Sequence, residues 1–431
     1  MPRRRWSLPV AAWLAVTSVV AAAAPAGAAV PAPPDFKVSF GQLGGDPGAF
    51  NFATHMDLDA TGRLVVADTS NNRIQILKRN GVFVRQFGSF GTGNGQLRSP
   101  WGVAVLDNGR IVVADTDNNR IQVFRPNGTY VTQFGVSGTL PGQLDIPTGM
   151  AVNSKGQIIV ADYGNNRIQV FRPNGAFVRE FGSSGTGDGE MLAPIDVALD
   201  ANGRIFAVEE QGDRVSVFKP NGEFIRNFGS EGTADGEFDT PGGIFVEGNR
   251  VYVADAGNRV QVHNVRGDYL FTFGSSGAGL GEMSFPRGVI FDSTGRIYVA
   301  DSGNSRIQVW EYYRCNGKLA TIAGTAAADV INGTAGRDVI VALNGDDLVR
   351  GRGGSDVICA GGGADTVNGG AGNDYIEGGN GPDNLLGQGG NDTLTGGGGS
   401  DTLIGGAGSD TCTGGAGNDT GSSCETSSGI P

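Results

Sequence analysis

The side chains with most chemistry in this chain are its aspartates, and eleven of them keep one register. From Gly324 an aspartate returns every nine residues: Asp329, Asp338, Asp347, Asp356, Asp365, Asp374, Asp383, Asp392, Asp401, Asp410 and Asp419. Residues 369–386, GGAGNDYIEGGNGPDNLL, show the unit: glycines, then an aspartate, then an apolar residue two positions later. That apolar position is filled by Ile331, Ile340, Val349, Ile358, Val367, Ile376, Leu385, Leu394, Leu403 and Cys412. One such residue in nine cannot build an ordinary packed core. Glycine adds backbone entropy that folding must overcome. Something else must hold the segment together, and the regular carboxylates are the groups that can recruit it.

The unit resembles GGxGxDxUx, the nonapeptide repeat of the RTX family. The resemblance implies a parallel β-roll. Each unit makes a tight turn and a very short strand, two units make one coil, and units 18 residues apart stack. It also implies calcium. The ion takes six to eight oxygen ligands at about 2.3–2.6 Å, which turn carbonyls and aspartates of stacked turns can supply. Without the metal the aligned carboxylates repel, so binding should drive folding. The expected ligands are the series from Asp338 to Asp419. The best units lie between 369 and 419, and GTAAAD (324–329) and ALNGDD (342–347) lack key glycines. Eleven turns allow at most nine sites if each site needs two turns on one side. The competing reading, a disordered acidic linker, does not account for the unbroken register.

Charge follows the same boundary. The chain of 431 residues carries a net charge of −12 and 75 glycines. Residues 324–431 hold 14 acidic and three basic residues (Arg337, Arg350 and Arg352), so nearly all of the net charge sits there.

The remainder is repetitive in a different way. GRLVVADTSNNRIQILKRNGVFVRQFG (62–88) returns at 109–135 and 156–182, more weakly at 203–229 and 249–274, and stops early at 295–313. Its acidic marker falls at Asp68, Asp115, Asp162, Glu209, Asp255 and Asp301, a period of 46 or 47. Each copy holds four β-branched or aromatic runs parted by turn signals such as PNG. Four strands at this period predict a propeller blade. The sixth copy lacks its last strand, and FKVSFG (36–41) at the other end of the chain supplies one. This closes a ring of six blades and removes a sheet edge.

The repeat resembles the NHL family, PxGVAVDxxGRIYVADxxNxRIQVF, most completely from Ser99 to Phe124. The resemblance covers roughly 36–313 and implies a six-bladed propeller, usually a binding platform and less often an enzyme. One arginine recurs per blade: Arg73, Arg120, Arg167, Arg214, Arg259 and Arg306. Either these form an anion-binding ring, or each pairs with its blade's acidic residue to hold a turn. Repetition in every blade favours the second. Enzymes of this general kind, the amidating and antibiotic lyases, use several histidines as metal ligands or bases. Only His55 and His263 occur here, and both read as local substitutions. A lactonase-type calcium on Glu, Asn and Asp side chains would leave no local spacing to recognise. Blade four departs most, with VEEQGDRVSV at 208–217, so Glu209 and Glu210 mark either a ligand loop or drift.

The ends complete the reading. Arg3, Arg4 and Arg5, an apolar run and Ala26-Gly27-Ala28 predict a secretory signal peptide over 1–28, with an uncleaved anchor as the alternative and Sec or Tat export both open. No later run is long enough to span a bilayer. Cys315, Cys359, Cys412 and Cys424 allow three pairings in an exported protein. The sequence-local one is Cys315–Cys359 with Cys412–Cys424. A classical RTX exporter reads a C-terminal signal, so its export route and toxin activity do not carry over to a chain with an N-terminal one.

The expected all-β organisation is a signal peptide (1–28), a propeller (29–313), a linker (314–323) and a calcium-binding roll (324–431). The expected function is an exported or cell-surface calcium-binding protein, non-enzymatic. Its propeller would meet an extracellular protein or glycan and no nucleic acid. The alternative is a secreted lyase, hydrolase or lactonase working in the propeller mouth.

Overall fold

A computed structural model describes residues 18–20 and 32–430. The expected signal peptide lies outside the described residues, apart from Ser18–Val20. That segment pairs in parallel with Val330–Asn332. The chain divides into two compact units, Pro33–Glu311 and a second that begins again at Tyr312.

The first unit is a six-bladed propeller of four-stranded antiparallel sheets. Blade two is typical, with strands Pro100–Val105, Ile111–Asp115, Arg120–Phe124 and Tyr130–Phe134. Its two middle strands, IVVAD and RIQVF, are buried at every position. They lie between other blades on both faces, which is why they read as apolar runs rather than alternations. Blade six consists of Pro286–Phe291, Arg296–Asp301, Arg306–Glu311 and the N-terminal strand Asp35–Phe40. Phe36 pairs with Trp310 and Phe40 with Ile307, so the ring is closed by the strand that the repeat count required.

Blades are joined by polar clamps as well as by apolar packing. In blade one Arg73 Nε donates to Asp68 Oδ2 at 2.7 Å. The rest of its guanidinium donates to the carbonyls of Gly45, Asp46 and Ala49 in the preceding loop. All six acid–arginine pairs form, at 2.6–3.0 Å. The recurring arginines therefore hold the interblade loops and do not make an anion ring.

The second unit is a parallel β-roll of two strand stacks. One stack includes Val339–Asn344, Val357–Gly362, Tyr375–Asn380, Thr393–Gly398 and Thr411–Ala416. The facing stack includes Leu348–Arg350, Thr366–Ala371, Asn384–Gly389 and Thr402–Ala407. Partners are 18 residues apart, as in Ile340–Ile358–Ile376–Leu394–Cys412. The main core is the run of apolar residues from Ile322 through Cys412, and a smaller cluster gathers Cys315, Ala320, Val339, Val341 and Val357. Residues 314–323 are structured: Arg314–Cys315 pairs with Lys318–Leu319, and Ile322–Ala323 starts one stack. Disulfides join Cys315 to Cys359 and Cys412 to Cys424.

Candidate functional site

The strict register of the roll turns its aspartates into two ladders. From Asp329 to Asp401 the backbone amide of each aspartate donates to Oδ1 of the aspartate one coil further on: Asp347 to Asp365 at 2.8 Å, Asp356 to Asp374 at 2.8 Å, Asp383 to Asp401 at 2.9 Å. This bond fixes the carboxylate and buries it. All eleven aspartates from Asp329 to Asp419 are at most 4% exposed.

Their second oxygens divide the series. From Asp347 to Asp419, Oδ2 is buried without a hydrogen-bond partner in all nine. Asp329 and Asp338 differ, because Thr325 and Thr334 stand where the later units carry glycine, Leu343, Arg352 or Gln388, none of which has a hydroxyl. Thr334 donates to Asp338 Oδ2 from its amide at 2.6 Å and its hydroxyl at 3.0 Å. Thr325 does the same for Asp329 Oδ2. In the later units a Cβ built on Gly378 or Gly396 would collide with the free oxygen of Asp383 or Asp401. Glycine there keeps open a space bounded by a bare carboxylate oxygen and a backbone carbonyl.

A buried polar atom without a partner is costly, and a carboxylate oxygen more so. Burial, and then neighbouring aspartates, push the pKa up to about 7 at Asp356 and Asp383 and about 6 at Asp347 and Asp392. Asp365, Asp374 and Asp401 shift in the same direction, with burial as the main cause. These groups fit a hard cation. Among the described residues no three His, Cys, Asp or Glu side chains converge. A cation in the roll would therefore rest on one or two carboxylates and on backbone carbonyls.

One ladder member was not legible from the nine-residue register. The amide of Asp410 donates to Glu425, 15 residues on. The last coil is three residues short, pairing Thr411 with Thr426, so a glutamate with a longer arm fills the place of an aspartate. Its signal was an acidic residue just after Cys424, within reach of the bridge to Cys412.

In the propeller the informative residues are those that break the repeat. The innermost strands contact one another in a closed ring in chain order. The glycine of PxGVAV is kept as Gly102, Gly149, Gly243 and Gly288 and replaced by His55 and Asp196, in blades one and four. These blades face each other, and His55 Nε2 lies 3.3 Å from Asp196 Oδ1 across the axis. The Val103 amide points to His55 Nδ1 at 3.4 Å, which places the ring proton on Nε2 toward Asp196. Burial lowers the His55 pKa, but the carboxylates of Asp196 and, less, Asp57 raise it overall. Asp196 Oδ2 accepts from the Ile244 amide at 3.0 Å. The pair bars the channel, and both ring nitrogens are engaged.

At the starting ends of the same strands a second group of exceptions meets. Arg287 Nη1 donates to Glu210 at 2.7 Å and lies over the Trp101 ring at 5.6 Å. Tyr163 donates to Glu210 at 2.9 Å. Where Tyr163 and Glu210 stand, Thr69 and Thr116 bond to the carbonyls of Pro100 and Pro147 in the next blade. Glu209, by contrast, keeps the repeat's structural role with Arg214. Glu210 is thus the blade-four departure that reaches the channel face. His263 lies in the core against Phe228 and Phe238, far from such a role.

Comparison with known proteins agrees with this division. The NHL repeat model matches residues 97–124, 144–171 and 283–310. The model of the RTX calcium-binding nonapeptide repeat (4 copies) matches 323–358, 353–385, 360–394 and 386–420. The chain therefore carries NHL repeats followed by RTX calcium-binding repeats. It is 37% identical over 68 residues to RING finger protein nhl-1 of Caenorhabditis elegans and 38% over 73 residues to Protein brain tumor of Drosophila melanogaster. These stretches are 16% and 17% of this chain, and the chain spans only 7% of either relative. Among solved structures it is similar to virginiamycin B lyase from Staphylococcus aureus, at 15% identity and a TM-score of 0.46 over 65% of this chain and all of that one. Hydrazine synthase of Kuenenia stuttgartiensis gives 16% identity and a TM-score of 0.45 over 60% and 76% of the two chains.

Proposed function

We propose that this is an exported protein whose roll folds on calcium outside the cell and whose propeller is an interaction platform for an extracellular protein or glycan. The observation that carries the calcium reading is the run of nine buried carboxylates, Asp347 to Asp419, each with one oxygen left without a partner. When bound, calcium supplies the positive charge that this buried acidic column lacks. Asp347 through Asp419 would hold it with turn carbonyls, and Asp338 contributes least because Thr334 already occupies its free oxygen. The two disulfides accord with an oxidising destination.

The platform reading rests on Trp101, Tyr163, Glu210 and Arg287. They put aromatic surface beside a carboxylate and a guanidinium at one end of the channel, a chemistry suited to a sugar or a polar peptide. A secreted enzyme is the weaker reading. His55 has no ring nitrogen free to act as a base, and His263 is buried away from the channel.

Calcium titration of the mature chain tests the proposal, followed by far-UV circular dichroism and calorimetry with magnesium as control. Cooperative gain of β structure with several ions bound is the expected result. No transition, or an equal response to magnesium, would overturn the calcium reading.

A further inference from the structure

Beyond the His55–Asp196 bar, toward the finishing ends of the innermost strands, the channel widens into a cavity of about 350 Å³. That is the lower end of the range for small-molecule sites, about 300–1,000 Å³. One repeat position shapes it. Two residues after the bar position, blades two, three and four carry Ala104, Ala151 and Ala198, and blades one, five and six carry Asp57, Phe245 and Ile290. Ala151 and Ala198 leave the room, and Asp57, Phe245 and Ile290 make it asymmetric.

Asp57, Ala151, Ala198, Phe245 and Ile290 all line the cavity, with His55 at the bar and Asp107 at the rim. No lysine or arginine is among its lining residues. Asp57 accepts one hydrogen bond on each oxygen, from the amides of Val105 and Leu58 at 2.7 Å. A carboxylate has about four acceptor sites, so half of its capacity remains. Burial raises its pKa, and the Val105 and Leu58 amides and the nearby His55 ring only partly offset that rise. Another wall is the half-buried Phe245 ring, two blades from Asp57 and held in place by stacking on Phe291 at 5.5 Å and 15°. An aromatic face and a carboxylate both attract cations, and the first tolerates an apolar one.

We propose that this chamber binds a small organic ammonium ion, with its cationic head at Asp57 and its apolar body between Ala151, Ala198, Phe245 and Ile290. The proposal is independent of the calcium reading of the roll and of the aromatic cluster at the other end of the channel.

Ligand-observed saturation-transfer NMR and calorimetry on the calcium-saturated full chain test it. The probes are phenethylammonium, its neutral analogue 2-phenylethanol and the anion phenylacetate. Phenethylammonium should bind at least about tenfold more tightly than the alcohol, and phenylacetate should not bind. Asp57→Asn should weaken phenethylammonium about tenfold and leave 2-phenylethanol nearly unchanged. Ala151→Leu, which fills the chamber, should remove both. Phe245→Leu serves as a second chamber variant should either of these melt early. No binding of phenethylammonium would overturn the proposal. So would equal binding of all three probes, or binding undiminished in the variants. Loss of phenethylammonium as calcium is raised further would assign the chamber to a metal and overturn it as well.

Discussion

The amide of Asp365 donates to Oδ1 of Asp383, 18 residues further on, at 2.9 Å, and the other oxygen of Asp383 is buried with no partner. One bond thus orients the carboxylate while its second oxygen stays free for a cation. Asp338 shares the fold position but not the freedom, since Thr334 caps it. Asp383→Asn should therefore lower calcium affinity by about tenfold or remove a bound ion, the scale of one lost charged contact. Asp338→Asn should change neither by more than about twofold. Calorimetric titration of both variants beside the parent chain reads the difference. Equal losses would mean that the free oxygen is not what selects the sites.

The same ladder sets a pH dependence of opposite sign with and without metal. The folded pKa is about 7 at Asp356 and Asp383 and about 6 at Asp347 and Asp392, all above the ordinary 3.8. A carboxyl whose folded pKa is raised binds protons more tightly in the folded state, so without calcium stability rises as pH falls. The gain accrues between about pH 7 and about pH 4. With calcium, protons compete for the same oxygens and affinity falls through the same window. Circular dichroism of the chelator-treated chain should show the roll gaining β structure on acidification. The half-saturating calcium concentration should rise over the same range.

At the end of the roll the register fails and chemistry substitutes for it. Cys412 occupies a core position and is fully buried, and its bridge to Cys424 ties down a coil three residues too short. The sequence separation is 12. Closing a loop of this size stabilises by about 2–3 kcal/mol. The Cys412→Ala, Cys424→Ser pair should lower the calcium-loaded stability of the roll by that amount. Loss of Cys315–Cys359 should act at the start of the roll instead. Thermal melting with and without a reductant, on parent and variant, separates the two bridges.

What could be read beforehand divides along physical lines. The six blades, the N-terminal strand lent to blade six and the two β stacks followed from period alone, because each repeat repeats its contacts. The aspartate register was legible for the same reason. Which aspartates keep a free oxygen was only partly legible. It turns on Thr325 and Thr334, which stand where the later units carry glycine, Leu343, Arg352 or Gln388 and whose hydroxyls reach a carboxylate four residues away. The His55–Asp196 bar needed the ring: only after blades one and four are known to face each other does a double loss of the same glycine become a contact. Its trace was present in that paired loss. The cluster of Trp101, Tyr163, Glu210 and Arg287 likewise joins four blades that are distant in sequence. Of these, only Glu210 stood out as a departure from the repeat.

His263 tests how far the repeat itself governs stability. Its equivalents in the other blades are Leu77, Phe124, Phe171, Phe218 and Trp310, all apolar. The imidazole takes their place against Phe228, Phe238 and Tyr269, with ring centroids 5.2, 5.3 and 5.8 Å away. Nδ1 lies 3.2 Å from the Gly267 carbonyl, and Nε2 is buried without a partner. Burial pushes the pKa down to about 4. The unfolded chain takes up a proton near pH 6.5, which the folded one refuses until about pH 4. The contribution to stability is therefore complete above pH 6.5 and is lost progressively below it. The shift sets an upper bound of about 3 kcal/mol on that loss. His263→Phe restores the repeat, removes the orphaned nitrogen and should stabilise the propeller by about 1 kcal/mol at neutral pH. Its advantage over the parent should widen as pH falls from about 6.5 toward 4. Denaturant unfolding of the propeller transition across that range measures both effects. A variant that gains nothing on acidification would show that the ring is already protonated, or solvated, in the folded blade.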